Sequence, residues 1–188
     1  KSHSEYRNFS PHLLDQFRRD LAVFGDVPTT INYEHGHVIF PNSIGYLLGK
    51  IYKIKFDTFN SRIPEELYSL DSKVIAGFLR AFADDEGHVF DSSIEIYSAN
   101  QMLLEGIIKL IKSKFPSIEL SRIMINYSSK NPKFSFSILN KSLLCYSESI
   151  GFDHPTKIED LLFSIKRAAQ WRNFRKTKDT LTLILKSL

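Results

Sequence analysis

Apolar positions along this chain recur first at helical spacing and then at every second residue, and this succession occurs twice. Ser10-Pro11 opens a helix with Ser10 as N-cap, and Leu13, Leu14, Phe17 and Leu21 mark its buried face up to Gly25. Thr29 to Glu34 alternates, as does His37-Val38-Ile39-Phe40 after His35-Gly36, which predicts a hairpin. A second helix runs from Ser43 to Tyr52, and Arg62-Ile63-Pro64 leads into a third. Short strands are expected over 88–91 and 94–97, a helix from Asn100 to Lys114, a second hairpin over 122–127 and 133–139, and a helix from Ser142 to Ile150 that stops at Gly151. Two more helices are expected from Lys157 and from Thr177, and residues 1 to 8, being polar, are expected to be loose. The order α-β-β-α, then α-β-β-α-β-β-α, then a helical tail, predicts an α+β fold with antiparallel hairpins.

The third helix, Ser72-Lys-Val-Ile-Ala-Gly-Phe-Leu-Arg-Ala-Phe-Ala-Asp-Asp-Glu86, carries the candidate chemistry. Asp71 or Ser72 can cap it, and Val74, Ile75, Phe78, Leu79 and Phe82 form its expected core side. Gly77, Ala81 and Asp85 fall in one row four residues apart, where another backbone could approach closely. Its last turn delivers Asp84, Asp85 and Glu86 to a helix C-terminus, where the macrodipole disfavours negative charge. Such acids either form a solvated last turn ended by Gly87 or hold something positive.

The two halves are related. Leu13-Leu14-Asp15-x-Phe17-x-x-x-Leu21 matches Leu103-Leu104-Glu105-x-Ile107-x-x-x-Ile111, and Ile31-Asn32-Tyr33 recurs as Ile125-Asn126-Tyr127. A repeat of roughly 90 to 100 residues implies two similar units about a pseudo-twofold axis. The second unit starts with the Glu86 helix, and the first has no counterpart to it. Residues 1–66 therefore form a partial first unit, 67–156 a second unit, and 157–188 a basic helical tail. Either a preceding segment or another chain would supply the absent helix.

Composition adds limits. A chain of 188 residues with 43% hydrophobic residues can bury a real core. The single Cys145 excludes an internal disulfide and a cysteine-cluster zinc site. No apolar run approaches a membrane span, so a soluble intracellular chain with no membrane partner is expected. The net charge is only +4, but from Lys157 onward eight Lys/Arg face three acids, 8 − 3 = +5, which leaves −1 for the rest. The tail thus suits phosphate contact, or else is a solvated charged face.

Leu79 to Gly87 resembles the nine-residue motif of the LAGLIDADG homing endonucleases, and Arg62-Ile63-Pro64 and Ser149-Ile150-Gly151-Phe152-x-His154 are similar to its flanks. The resemblance, over roughly residues 9 to 165, implies an αββαββα fold with saddle-shaped antiparallel sheets. It also implies two motif helices packed through small residues, here Gly77 and Ala81. It places the metal-binding acid on Glu86, with Mg²⁺ or another divalent cation as cofactor, while Asp84 takes the motif's structural acidic position. The family's strand lysine aligns with Ser137, and Lys133 is the basic residue of that strand. Alternation puts Ile94, Ile96, Ile123, Ile125, Phe134 and Phe136 toward the helices. The opposite face would hold His88, Phe90, Glu95, Tyr97, Arg122, Met124, Asn126, Lys133, Ser135 and Ser137 in the second unit, and Thr30, Asn32 and His37 in the first. Such a face can enter a major groove or be ordinary solvated sheet. The resemblance implies a Mg²⁺-dependent endonuclease acting on a long duplex DNA site, with Glu86 and Lys133 as catalytic candidates. The other expected reading is a non-cleaving binder on the same fold, such as an intron-RNA maturase or a transcription regulator.

Overall fold

The computed structural model describes residues 3–52, 59–127 and 132–170. Its first sheet is made by β1 (His3–Arg7), β2 (Thr30–Asn32) and β3 (His37–Pro41), with α1 (Pro11–Leu21) and α2 (Asn42–Tyr52) connected to it. Then come α3 (Ser72–Glu86), β4 (Gly87–Phe90), β5 (Ser93–Ser98), α4 (Gln101–Lys114), β6 (Met124–Asn126), β7 (Lys133–Leu139) and α5 (Leu143–Ser149). A last helix, α6, covers residues 155–170.

All strand pairs are antiparallel, in the orders β1-β3-β2 and β4-β5-β7-β6. The first order repeats β5-β7-β6 of the second. The repeated tripeptides also fall in one register, since Asn32 faces His37 as Asn126 faces Lys133. Among the described residues, the first sheet has neither a helix equivalent to α3 nor a strand equivalent to β4.

His3–Arg7 corrects the expectation of a loose start. It alternates, and its Tyr6 ring stacks on Phe17 at 4.3 Å while Phe17 meets Phe40 at 5.4 Å. Enough apolar area is covered there to hold a short strand against β3. The 3-10 turn Ala22–Phe24 ends α1 at Gly25, whose φ of 95° favours glycine. The helix expected from Lys157 begins two residues earlier, behind Pro155, in the first turn where proline is tolerated. The helix expected from Thr177 and the turn over 128–131 lie outside the described residues.

The main core lies under the second sheet. Phe136, Ile138, Ile94 and Ile96 from the sheet meet Ile75, Leu79 and Ala83 of α3, Leu104, Ile107 and Ile111 of α4, and Tyr146 and Leu161. The buried face of α3 is turned about one residue, roughly 100°, from the expected one. Ile75, Ala76, Leu79 and Ala83 are buried, whereas Val74 is 54% exposed and Phe78 and Phe82 are half-buried. The small Ala76 and Ala83 permit close packing that bulkier residues would block. Ile125 is a second correction, because β6 is the sheet's edge and leaves it 46% exposed. Around the first sheet the core is smaller, built from Leu13, Leu14, Leu21, Val38, Phe40 and Ile44.

Truncating Phe136, fully buried at the centre of the larger core, to alanine should cost about 3–5 kcal/mol. Phe40→Ala should cost less, because Phe17, Val27 and Leu48 around it are only partly buried and can close on the space. Urea denaturation of both variants checks the order.

Candidate functional site

Helix α3 begins with the Asp71 carboxylate accepting from the Lys73 N–H at 2.7 Å, which settles the capping choice on Asp71. It runs straight into β4 at Gly87. A Cβ there would lie 2.5 Å from the Ala83 carbonyl oxygen and 3.1 Å from Ile96, so the helix-to-strand corner requires glycine on packing grounds. That corner brings Asp84, Asp85 and Glu86 to the border of the second sheet.

The three acids meet three environments. Asp84 is buried, and its carboxylate accepts the backbone N–H groups of Asp153, at 3.0 Å, and His154, at 3.1 Å, just before α6. From the first turn of α6, Lys157 Nζ donates to the carbonyls of Ala83, at 3.0 Å, and Asp84, at 2.6 Å. The two helix ends therefore cap each other, an acid on an N-terminus and a cation on a C-terminus. Arg80 adds a bond from Nε to the Ile150 carbonyl at 2.7 Å and an ion pair with Asp153. Asp85 turns the other way. Its Oδ1 accepts from Tyr6 Oη at 2.6 Å and from Asn8 Nδ2 at 2.7 Å, tying the first sheet to the end of α3.

Burial is the first cause raising the carboxyl pKa of each of the three. For Asp84 the bonds from Asp153 and His154 oppose it, and for Asp85 those from Tyr6 and Asn8 do. For Glu86 the charge of Asp85 raises it further, while Lys157 and Lys133 pull it down. Asp85 and Glu86 reach solvent at the surface but stand among protein atoms on their other sides. Lys157 shifts downward through burial, opposed by Asp84, Asp85 and Glu86. Burial and the bond to Asp85 also raise Tyr6, which stays a protonated donor.

The outer face of the second sheet assembles largely as the alternation predicts. His88 faces Glu95, Glu95 faces Ser137, Tyr97 faces Ser135, Met124 faces Ser135 and Asn126 faces Lys133. His88, Phe90, Met124, Asn126 and Lys133 are exposed, and Glu95, Tyr97 and Ser137 are half-buried. Ser135 departs from the expectation: at 7% exposure it sits under its neighbours Tyr97 and Met124. Arg122 is exposed but precedes β6 rather than lying in it. In the first sheet Thr30 is exposed, and Asn32 and His37 are half-buried and face each other. The register adds His3 and Arg7 beside Pro41 and His37, residues that the period-two pattern His3-Ser4-Glu5-Tyr6-Arg7 could have revealed.

Gly77 and Ala81, expected to pack against a second helix, are exposed, and a Cβ on Gly77 would meet nothing within 4 Å. Among the described residues the row Val74, Gly77, Ala81 and Asp85 is thus an open face, met at its end by Tyr6 and Asn8. Among the described residues no group of three or more His, Cys, Asp or Glu side chains could hold a metal ion. Glu86 supplies one carboxylate, and the described residues do not complete a site around it. The open cavity of about 750 Å³ between the starts of α1 and α6 borders Asp84 and Asp85 but not Glu86.

Solved structures of the homing endonuclease I-DmoI share this architecture. One of mesophilic variants superposes at a TM-score of 0.60 with 10% identity, covering 79% of each chain. I-DmoI in complex with DNA and Ca gives 0.59 and 11% identity over 85% of this chain and 82% of that one. I-DmoI in complex with DNA and Mn gives 0.55 and 11% over 79% and 80%. The chain therefore has the fold of I-DmoI, the LAGLIDADG-type fold that the motif implied. It is also 28% identical over 152 residues to a probable translation initiation factor IF-2 of Methanocaldococcus jannaschii; the match covers 76% of this chain but 13% of that much longer protein. No protein-family profile matches the chain.

Two expected outcomes test this geometry. An aspartate whose pKa is raised on folding destabilises the fold above that pKa and loses this penalty once protonated. Asp85→Asn keeps the oxygen that accepts from Tyr6 and Asn8, so it should raise the melting temperature at pH 7 to 8. The gain should shrink as pH falls toward the ordinary carboxylate range, about 4. Gly77→Ala, in an exposed helix interior with open space around it, should stabilise the chain by about 1 kcal/mol in urea denaturation.

Proposed function

We propose that this chain is a duplex-DNA-binding protein of the homing-endonuclease kind, gripping a long site with the outer faces of its two sheets. The supporting observation is the register that sets His88, Tyr97, Met124, Asn126, Lys133 and Ser137 on one continuous face beside the acidic end of α3. Side chains of this mixed type, on antiparallel strands, can meet base edges in a major groove. Thr30, Asn32 and His37, with Arg7, would carry the face onto the first sheet, and the basic residues after Lys157 would meet phosphates. I-DmoI has been solved with DNA and with Mn or Ca, which supports duplex DNA as ligand and a divalent cation as cofactor.

In this reading Glu86 is the metal-binding acid and Lys133 is its basic neighbour, close enough for its charge to favour the ionised carboxylate. Because one carboxylate does not make the site, cleavage requires a second acid from outside the described residues, on a preceding segment or a second chain. Non-cleaving binding, to duplex DNA or to intron RNA, is the second reading. The open Gly77 and Ala81 row and the serine at 137 favour it.

Both readings expect nucleic-acid binding, to a long duplex in the first, that weakens steeply with salt and weakens further in Lys133→Ala. The endonuclease reading expects double-strand cleavage in Mg²⁺ or Mn²⁺, lost with EDTA and in Glu86→Gln, while binding survives. Cleavage undiminished in Glu86→Gln would remove that residue from the centre. Tight binding with no turnover once the second acid is supplied would decide for the second reading.

A further inference from the structure

Two neighbouring rows of α6 meet different surroundings. Leu161 joins the main core, and Ser164, also buried, donates to the Phe90 carbonyl. The next row, Ile158, Leu162, Ile165 and Ala169, has the four-three-four spacing of a helix-packing seam. Yet Ile158 is 38% and Leu162 47% exposed, Ala169 is exposed, and Phe163 beside them is 62% exposed. Single exposed apolar residues are ordinary on a surface, but a contiguous apolar stripe along one helix marks a place for a partner. Residues 171–188 lie outside the described residues, and their sequence carries the complementary pattern. Leu181, Ile184, Leu185 and Leu188 fall on one side at helical spacing, with Leu183 opposite.

From this we infer that residues 177–188 double back as a helix along α6 and cover the Ile158 row, holding the basic turn of Arg172, Arg175 and Lys176 near the corner between β4 and β5. The lengths agree. The link 171–176 is within the usual span of connections between antiparallel helices, and a helix over 177–188, roughly 18 Å long, fits along the roughly 24 Å of α6. Doubling back about residue 173 sets Leu181 at the level of Ile165, Leu185 at that of Leu162 and Leu188 at that of Ile158. The charges agree in the same register. Lys186 comes to the exposed acids Glu159 and Asp160 at the start of α6, and Asp179 to the exposed Lys166 near its end. A tethered segment also competes at a roughly millimolar effective concentration, which a second copy of the chain does not reach. Arg167, one turn before the link, pairs with Asp91, so the turn's cations have a set place at the border of the second sheet. Their use there as phosphate contacts rests on the proposed DNA binding, whereas the docking of the helix does not.

Disulfide trapping in the whole chain tests the docking, in a Cys145→Ser background so that the introduced cysteines pair with each other. Leu162→Cys with Leu185→Cys should close within the monomer under mild oxidation about tenfold faster than Leu162→Cys with Leu183→Cys, whose second position faces away. Equal rates, or no closure of the 162–185 pair, would overturn the inference. A disulfide-linked dimer as the main product would do so too, by giving the row to a second copy. Hydrogen exchange is the independent measurement, on the chain without introduced cysteines. The 177–188 amides should be protected, and Leu181→Ser with Leu185→Ser should abolish that protection while leaving α3, β5 and β7 unchanged; unprotected amides in the unaltered chain overturn the inference. Duplex binding is measured on the same proteins. The double serine variant should bind about tenfold more weakly with a flatter salt dependence, as should Arg172→Ala combined with Arg175→Ala and Lys176→Ala. Unchanged binding in both, with the helix docked, removes the turn from the phosphate contacts. A chain that closes the 162–185 pair but binds no duplex keeps the docked helix and removes the functional reading. Duplex binding by a chain that does not close it does the reverse.

Discussion

The reciprocal capping of α3 and α6 is the interaction on which the site depends. A helix C-terminus carrying three acids is electrostatically poor, since carbonyl dipoles and carboxylates repel. Here Asp84 is taken out of that conflict by pointing at the amides that open α6, and Lys157 returns a positive charge to the carbonyls of Ala83 and Asp84. Charge-assisted bonds of this sort are the stronger class. With the helix end held, the chain can turn at Gly87 directly into β4, and Glu86 comes to the margin of the sheet face instead of being lost in a frayed turn.

That arrangement also ties α6 to the second sheet and its core. Leu161 joins the main core, and Ser164 Oγ donates to the Phe90 carbonyl at 2.9 Å. Arg167 pairs with Asp91 at the turn between β4 and β5. The helix thus braces the far end of the strand that follows the motif, while Lys157 holds the end of the helix before it. The basic character of the chain's C-terminal part begins on an element anchored to the sheet, so its charges have a fixed starting point relative to the outer face.

Much of this was legible from residues, because the signals were periodic and repeated. The matching tripeptides Ile31-Asn32-Tyr33 and Ile125-Asn126-Tyr127 do occupy equivalent registers, and Asn100 caps α4 as its position suggests. What was illegible depended on partners distant in sequence. Nothing local marks Lys157 as a cap for a helix more than seventy residues earlier. The buried face of α3 was misjudged because hydrophobicity favours Val74 and Phe78, while close packing selected Ala76 and Ala83. Ser135 reads as an outward polar residue, yet the sizes of Tyr97 and Met124 across the ladder bury it.

Asp85 shows how the last two levels connect. Its place in the motif is one where a small residue suits helix contact, and the same row carries Gly77 and Ala81. A carboxylate there would be hard to cover with a second backbone unless its bonds were already satisfied, since an unpaired buried charge costs several kcal/mol by order of magnitude. Tyr6 and Asn8 supply two of those bonds from the first sheet. The residue that most resembles an obstacle to close approach along this row is therefore already engaged by the first sheet. Both bonds fall on Oδ1, so any backbone approaching this row would still have to meet Oδ2.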